Sequence, residues 1–416
     1  MNNFINRALG TNEKVFWVLD QKTTTQFAVA AEIDGNATES EWRQALYTVQ
    51  KRHPNLSVRI EGNEYATVRF NTVDACRIPL RVLYTTSTDS WNSVLEEELS
   101  APLDITIAPL ARAVLIQQPG KCVFIFLTNH SIGDGMSVAL VIRDILTVLS
   151  GKTIMEMPPV PSLDELAGVA VKEIENEMQD GGIEQVKNSL LPRSTVNVER
   201  LKLSATLTGQ LIERCKLENT TVHGALTAAI VLAANSNNTS LPEPVRILHP
   251  LSARTTLGLG EDYGLLINIV TLSYEPSAQQ TFWAFAKEVR QGIAGTQTPD
   301  WIKADTRATQ GLFYNGLDVN TVEGALHQGT AHEVMLTNLG KLSFTADFGI
   351  LQLKTLWGPM VLTPHVLAQT VGVATFNGEL TLTLTRLAPA DALLSTVEEI
   401  ITKVCGIQTD LPIGNF

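Results

Sequence analysis

The chain has 416 residues, 44% of them hydrophobic and 18% charged, a globular composition that excludes a fibrous or disordered protein. At about 150 residues per domain, this length suggests two or three domains, each able to bury its own core. Forty-three acidic residues against 31 basic give a net charge of −12, so bulk charge would not hold a polyphosphate backbone and nucleic acid is not an expected partner. The longest mainly apolar stretch, Gly224 to Ala234, is too short to cross a bilayer, so no transmembrane segment is expected. No charged start followed by an apolar run opens the sequence, and Cys76, Cys122, Cys215 and Cys405 are scattered without a CxxC pair. Both features lead us to expect reduced thiols and a cytoplasmic protein.

In chain order, Lys14–Asp20 and Gln26–Ile33 are rich in branched and aromatic residues and read as strands. Thr38 and Glu41 form a capping box, behind which Trp42, Ala45, Leu46 and Val49 recur at helical spacing. Ser57–Ile60 and Tyr65–Phe70 read as a hairpin across Gly62, and Ser90–Leu99 as a helix stopped near Pro102. Leu110–Gln117 and Cys122–Thr128 are two strands joined over Pro119-Gly120, and Ser137–Leu149 is an amphipathic helix.

Residues 161–200 follow a cluster of prolines and contain a charged helix-like run and Gly181-Gly182, which reads as a crossover linker. Helices are expected at Thr208–Leu217, Thr221–Ala234, Phe282–Ile293 and Ala392–Val404. Strands are expected at Val245–His249, Leu265–Leu272, Glu333–Thr337, Val371–Phe376 and Glu379–Thr385, the last two joined by the hairpin signal Asn377-Gly378. The fold class is therefore mixed α/β, with domains at 1–160 and 201–416.

One segment carries a chemical signature: Phe126-Leu-Thr-Asn-His130-Ser-Ile-Gly-Asp134-Gly135. A strand delivers a histidine to its end, where a short turn with two glycines leads into a helix. His130 has an unperturbed pKa near neutrality and is the natural general base. A bare HxxxDG arises by chance in about 2–3% of chains of this size, so the motif alone leaves open a strand-end histidine followed by a plain Asp-Gly turn.

The wider pattern resembles the superfamily of chloramphenicol acetyltransferase-like acyltransferases, which includes nonribosomal peptide condensation domains and polyketide-associated acyltransferases. Their HHxxxDG hallmark stands here as Asn129-His130-Ser-Ile-Gly-Asp134-Gly135. Lys51-Arg-His-Pro-Asn-Leu-Ser-Val-Arg59 resembles the early RHxxLR segment, and Ala101-Pro-Leu-Asp104 with Ala108-Pro-Leu-Ala-Arg112 the stretch before the hallmark. His249-Pro-Leu-Ser-Ala-Arg254 and Gly264-Leu-Leu-Ile-Asn268 are similar to the arginine-bearing segment and the GxxxN strand, and Thr337-Asn-Leu-Gly340 to the NLG segment of free-standing members. The likeness runs over almost the whole chain in the right order.

The resemblance implies two similar α/β domains with a tunnel at their interface and His130 midway along it. It implies direct acyl transfer from a thioester to a hydroxyl acceptor, with His130 as base and no acyl-enzyme. The donor would be acyl-coenzyme A or the phosphopantetheine arm of an acyl carrier protein, and the acceptor a small alcohol; no cofactor is called for. Gly135 would lend a backbone amide to the oxyanion, and Asp134 would hold the turn through an ion pair with Arg254. The first hallmark histidine is replaced by Asn129, a substitution expected to be tolerated. Asn129, Asn338, Trp357 and His365 are candidates to line the tunnel, against turn-forming or packing roles for the last three. His223 reads as structural. Ser131 lacks a GxSxG context and is rejected as a nucleophile, and no metal-ligand spacing is present. Two rival readings remain: an amide-forming condensation enzyme, and a catalytically silent relative that binds a carrier or an acyl chain.

Overall fold

The protein is described by a computed structural model covering residues 4–21, 23–65, 67–86, 91–170, 196–234, 242, 244–314, 319–363, 365, 368–387, 392–406 and 410–416. The architecture is mixed α/β, with two six-stranded sheets and a small three-stranded one among the described residues.

In the first half, β1 is Asn6–Ala8, α1 Thr11–Asp20, β2 Gln26–Asp34 and α2 Glu39–Arg52. Strands β3 Val58–Glu61, β4 Arg69–Thr72 and β5 Leu80–Tyr84 follow, then α3 Trp91–Ser100, β6 Ala111–Gln118, β7 Lys121–Asn129, α4 Gly135–Leu149 and the short α5 Leu163–Leu166. The expected capping box at α2 is present: Thr38 accepts from the Glu41 amide while the Glu41 carboxylate accepts from the Thr38 amide.

One expectation fails at the outset. Lys14–Asp20 lies in helix α1, not in a strand. Its helical start is fixed by Glu13, whose carboxylate accepts from the Gly10 amide, and by Asp164, which accepts from the Thr11 amide. Because α1 is buried on nearly every side, its sequence lacks the one-sided pattern that marks a surface helix. The hairpin across Gly62 also starts its second strand later than expected, at Arg69.

The second half contributes β8 Asn197–Leu203, α6 Ala205–Leu217, α7 Val222–Ala234, β9 Val245–Ser252, α8 Arg254–Leu257, β10 Ile267–Tyr274, α9 Phe282–Ala294, α10 Pro299–Tyr314 and α11 Val319–Gly329. It closes with β11 Val334–Lys341, β12 Asp347–Phe348, β13 Leu351–Val361, β14 Gln369–Phe376, β15 Glu379–Arg386 and α12 Leu393–Gly406. Asn377 and Gly378 both have positive φ, 50° and 83°, as the tight turn between β14 and β15 requires. Of the linker, the charged run beyond residue 170 lies outside the described residues, whereas Asn197 onward already belongs to β8.

The sheets do not follow the expected split of the chain. The first has the order β12-β13-β2-β7-β6-β5, so two strands from the second half complete a sheet begun in the first. The second has the order β10-β9-β11-β14-β15-β8. Strand β7 sits inside the first sheet between β2 and β6, with Cys122, Phe124 and Phe126 facing the α2–α4 side and Val123, Ile125 and Leu127 the α3 side. Both faces being covered, the strand is a nearly continuous apolar run, and its polar end falls where the sheet stops. The second sheet packs against α6, α7, α9 and α12 through residues such as Leu226, Ile230, Phe285, Leu382 and Ile401. No helix among the described residues is long and apolar enough to cross a membrane.

Strand β13 is the seam between the sheets. It is paired to β2, yet the Leu356 carbonyl accepts from the Thr381 hydroxyl of β15 at 2.7 Å. Gly372 of β14 lies so near the Pro359 carbonyl that a Cβ there would overlap it.

Candidate active site

Strand β7 ends at Asn129, and His130 is the next residue. Its ring is held between two phenylalanines: Phe16 of α1 stacks on it with centroids 4.3 Å apart, and Phe27 of β2 tilts against it at 4.4 Å. Nδ1 is buried without a hydrogen bond, and His130 lines a cavity of about 70 Å³. Burial pushes the imidazole pKa down to about 4, against the opposing pull of the Asp134 carboxylate and the nearby His130 and Gly133 carbonyls. At neutral pH the ring is neutral and has a free lone pair.

The cavity lies where the sheets meet. Around His130 it is lined by Asp134, Gly135 and Met136 at the start of α4, by Pro250, Ser252 and Ile267 from β9 and β10, by Arg254 of α8, by Met335, Thr337, Asn338 and Leu339 from β11, and by Pro359 and Val361 from β13. The wall is partly apolar, with hydroxyl and amide groups from Ser252, Thr337 and Asn338 and the Asp134–Arg254 ion pair. Gly135 lies so close to Pro359 and Leu339 that any Cβ would collide with them, so glycine lets β13 approach the first turn of α4. The amides of that turn have no helical carbonyl to bond and stand at the positive end of the helix.

Asp134 caps α4 and accepts from the Ser137 amide at 2.9 Å. Its other oxygen accepts from Arg254 Nη1 at 2.6 Å and from the Leu266 amide at 3.0 Å. Burial alone would raise the carboxyl pKa, but Arg254 and the hydrogen bonds outweigh it and hold the group below its ordinary range. Ser137 extends the clamp by donating to the Gly264 carbonyl at 2.9 Å and accepting from Arg254 Nη2 at 2.9 Å. Tyr263 donates to Thr128 at 3.1 Å, and Gly133 is tight against the Tyr263 ring, where a Cβ would lie 2.8 Å from Cζ. Residues 254–266 therefore latch onto both ends of the hallmark turn.

The remaining candidates divide. Asn338 lines the cavity while its side chain accepts from the Gly340 amide at 2.7 Å, so it is both wall and turn former. Asn129 is not in the cavity wall: it is buried, donates to Asp20 at 3.2 Å and accepts from the Ser131 amide at 2.9 Å. Trp357 also lies away from the cavity, packed with Trp91 and Leu95 on the α3 side of β13 and near the Arg200 guanidinium. It pairs with Ala30 of β2, which belongs to the same cluster on the α3 side. His365 sits on the β13–β14 connection, 3.9 Å from His327 and 4.9 Å from His332 between ring centroids, again outside the cavity lining. His223 pairs with His249 at 2.9 Å, and His249 with Tyr274 at 3.1 Å, a buried chain in the second half. The early motif also binds across elements: Arg52 and His53 reach Asp144 of α4 at 2.8 and 2.9 Å. No group of His, Cys, Asp and Glu among the described residues could hold a metal ion.

Sequence reasoning missed Phe16, Phe27, Asp20 and Ser137. Ser137 had a signal, since it stands three residues after a helix-capping Asp. The others come from α1, its connection and β2, more than a hundred residues before the turn.

A family model described as Condensation domain matches residues 17–300. Gramicidin S synthase 2 from Aneurinibacillus migulanus is 22% identical over 288 residues, which cover 62% of this chain and 6% of that protein. The chain thus spans only 2% to 6% of the length of the curated relatives it matches. Among solved structures, polyketide synthase associated protein 5 from Mycobacterium tuberculosis superposes with a TM-score of 0.66 at 15% identity, covering 98% of this chain and 100% of that one. The first condensation domain of the calcium-dependent antibiotic synthetase, solved with a substrate analogue, gives a TM-score of 0.69 at 13% identity and covers 99% of both chains. At these identities the structural likeness is one of fold.

Proposed function

The chain belongs to the condensation-domain family, and from that premise we propose that it is an acyltransferase that moves an acyl group from a thioester to a hydroxyl acceptor. The observation that carries the reading is the His130 imidazole, held between two aromatic rings in the wall of a cavity between the two sheets. In this reading the acceptor O–H donates to Nε2 and its oxygen attacks the thioester carbonyl as the proton passes to the ring. The tetrahedral oxyanion faces the first-turn amides of α4, near Gly135. When the C–S bond breaks, the imidazolium returns its proton to the departing thiolate. Nothing becomes bound to the protein, and Asp134, fully engaged by Arg254, Leu266 and Ser137, holds the turn without touching substrate.

The TNLG segment at Thr337–Gly340 favours the ester-forming, free-standing type over an amide-forming condensation enzyme, and Thr337 and Asn338 stand in the cavity wall. The donor thioester is carried by coenzyme A or by a carrier protein. A silent binding relative has no use for an unprotonated base aimed into a cavity. The test is a His130→Ala variant incubated with acyl thioesters and alcohols and read by mass spectrometry. Turnover is expected to fall by about 100- to 10,000-fold with donor binding retained. Unchanged turnover would remove His130 from the reaction, and an amide product from an amine acceptor in place of an ester would favour the condensation alternative.

A further inference from the structure

The segment that ends α1 and leads into β2 grips three successive residues of the hallmark turn. Asp20 Oδ1 accepts from the Thr25 amide at 2.9 Å, the Thr25 hydroxyl at 2.7 Å and Asn129 Nδ2 at 3.2 Å. The Thr25 carbonyl accepts from the His130 amide at 2.9 Å, and Asn129 passes the grip on by accepting from the Ser131 amide. Four residues before Asp20 on the same helix, Phe16 stacks on the His130 ring. The backbone on both sides of the base thus refers to a single carboxylate, and one face of its ring to the helix that carries that carboxylate.

We propose that Asp20 is a positioning residue for His130, acting through Asn129 and Thr25, and that it takes over the anchoring of a turn whose first hallmark histidine this chain lacks. The assignment of a reaction to His130 rests on the function proposed above; the positioning itself rests on the contacts just given. Asp20 is buried and the charge acting on it most is Asp104, of like sign. A carboxylate with no cation paired to it among the described residues is a costly choice for a plain turn. Its extra value is as a strong acceptor for three donors at once, which an amide oxygen serves less well.

The test compares Asp20→Ala, Asp20→Asn and Asn129→Ala in the full chain. Asp20→Ala is expected to lower kcat by about 10- to 100-fold while KM for the acyl thioester stays within about twofold, because the base is displaced and the donor site is not. Asp20→Asn, which keeps one acceptor oxygen in place, should recover part of that loss. Asp20→Ala with Asn129→Ala should cost little more than the worse single variant, since both cut the same link. If Asp20→Ala does not fold, Asn129→Ala carries the same kcat-against-KM test. A kcat within about twofold of the parent in Asp20→Ala, or in Asn129→Ala where Asp20→Ala does not fold, overturns the proposal. A second measurement separates this inference from the function it rests on: the His130 ring resonance in protein labelled at histidine. It should shift or split in Asp20→Ala whether or not any thioester is turned over. A parent protein without turnover sinks the acyltransferase reading, whereas an unmoved His130 resonance sinks the positioning role.

Discussion

His130 and Asp134 are buried together, yet burial acts on them in opposite ways. The imidazole has no strong partner, so desolvation wins and its pKa falls to about 4. Its neutral, basic form therefore prevails above that value, and kcat/KM should be flat from about pH 5.5 to 8 and fall about tenfold per unit below pH 4. A midpoint near the ordinary histidine value of about 6.5 that persists in Asp20→Asn, which removes the carboxyl titrating near 6, would show a ring more solvated than this one. Asp134 keeps its charge because Arg254 and two amides meet it. Arg254→Met leaves a buried carboxylate without its cation and should cost about 3–5 kcal/mol in urea unfolding, with Asp134→Asn in the same chain recovering part. Asp20 gives the reverse sign. Its pKa is raised to about 6, chiefly by burial, so its share of stability is complete below the unfolded carboxylate value and lost as pH rises through about 6. Asp20→Asn should then melt higher than the parent at pH 8, by the equivalent of about 1–3 kcal/mol, and match it at pH 4.

At the scale of elements, what could be read from the sequence was what is decided locally. The capping box of α2, the Asn377-Gly378 turn and the one-sided helices α9 and α12 carry their own signals within a few residues. Strand β7 and its polar end were legible for the same reason, and with them His130. Helix α1 was not, because its surroundings bury nearly every side and erase the helical period. Strand β13 was not, because two register shifts and the Gly358-Pro359 pair break the alternation expected of a strand. The misplacement of Trp357 followed from that: without the strand, nothing indicated which face of the sheet its ring would join. Asp20 and Asn129 are 109 positions apart, and folding alone brings them together. The close approach of β13 to α4 yields its own prediction. Gly135→Ala puts a methyl group against Pro359, a ring that cannot swing away, and should destabilise by about 1–3 kcal/mol. It should also abolish turnover more than it lowers the melting temperature, since the displaced turn carries His130. Circular dichroism and turnover measured on one preparation separate the two effects.

Over the whole molecule, the expected division into residues 1–160 and 201–416 describes the order of the chain better than its construction. The first sheet lacks β13 until residues 351–361 arrive, and β2, whose residues are almost all buried, is the strand left open without it. A long apolar edge of that kind invites pairing with other chains. The cavity is built the same way: His130, Gly135 and Met136 come from one half, and Pro250, Ile267, Asn338, Pro359 and Val361 from the other. A fragment of residues 1–160 expressed alone should therefore be insoluble or lack a cooperative unfolding transition. Coexpression with residues 161–416 should return a soluble complex, because Leu351–Val361 can then close the sheet and the Asp134–Arg254 pair can form. Cooperative, monomeric folding of the first fragment by itself would mean that its core is sufficient without β13. The seam strand would then serve to join the halves and shape the cavity, and the sheet would owe its stability to the strands of the first half.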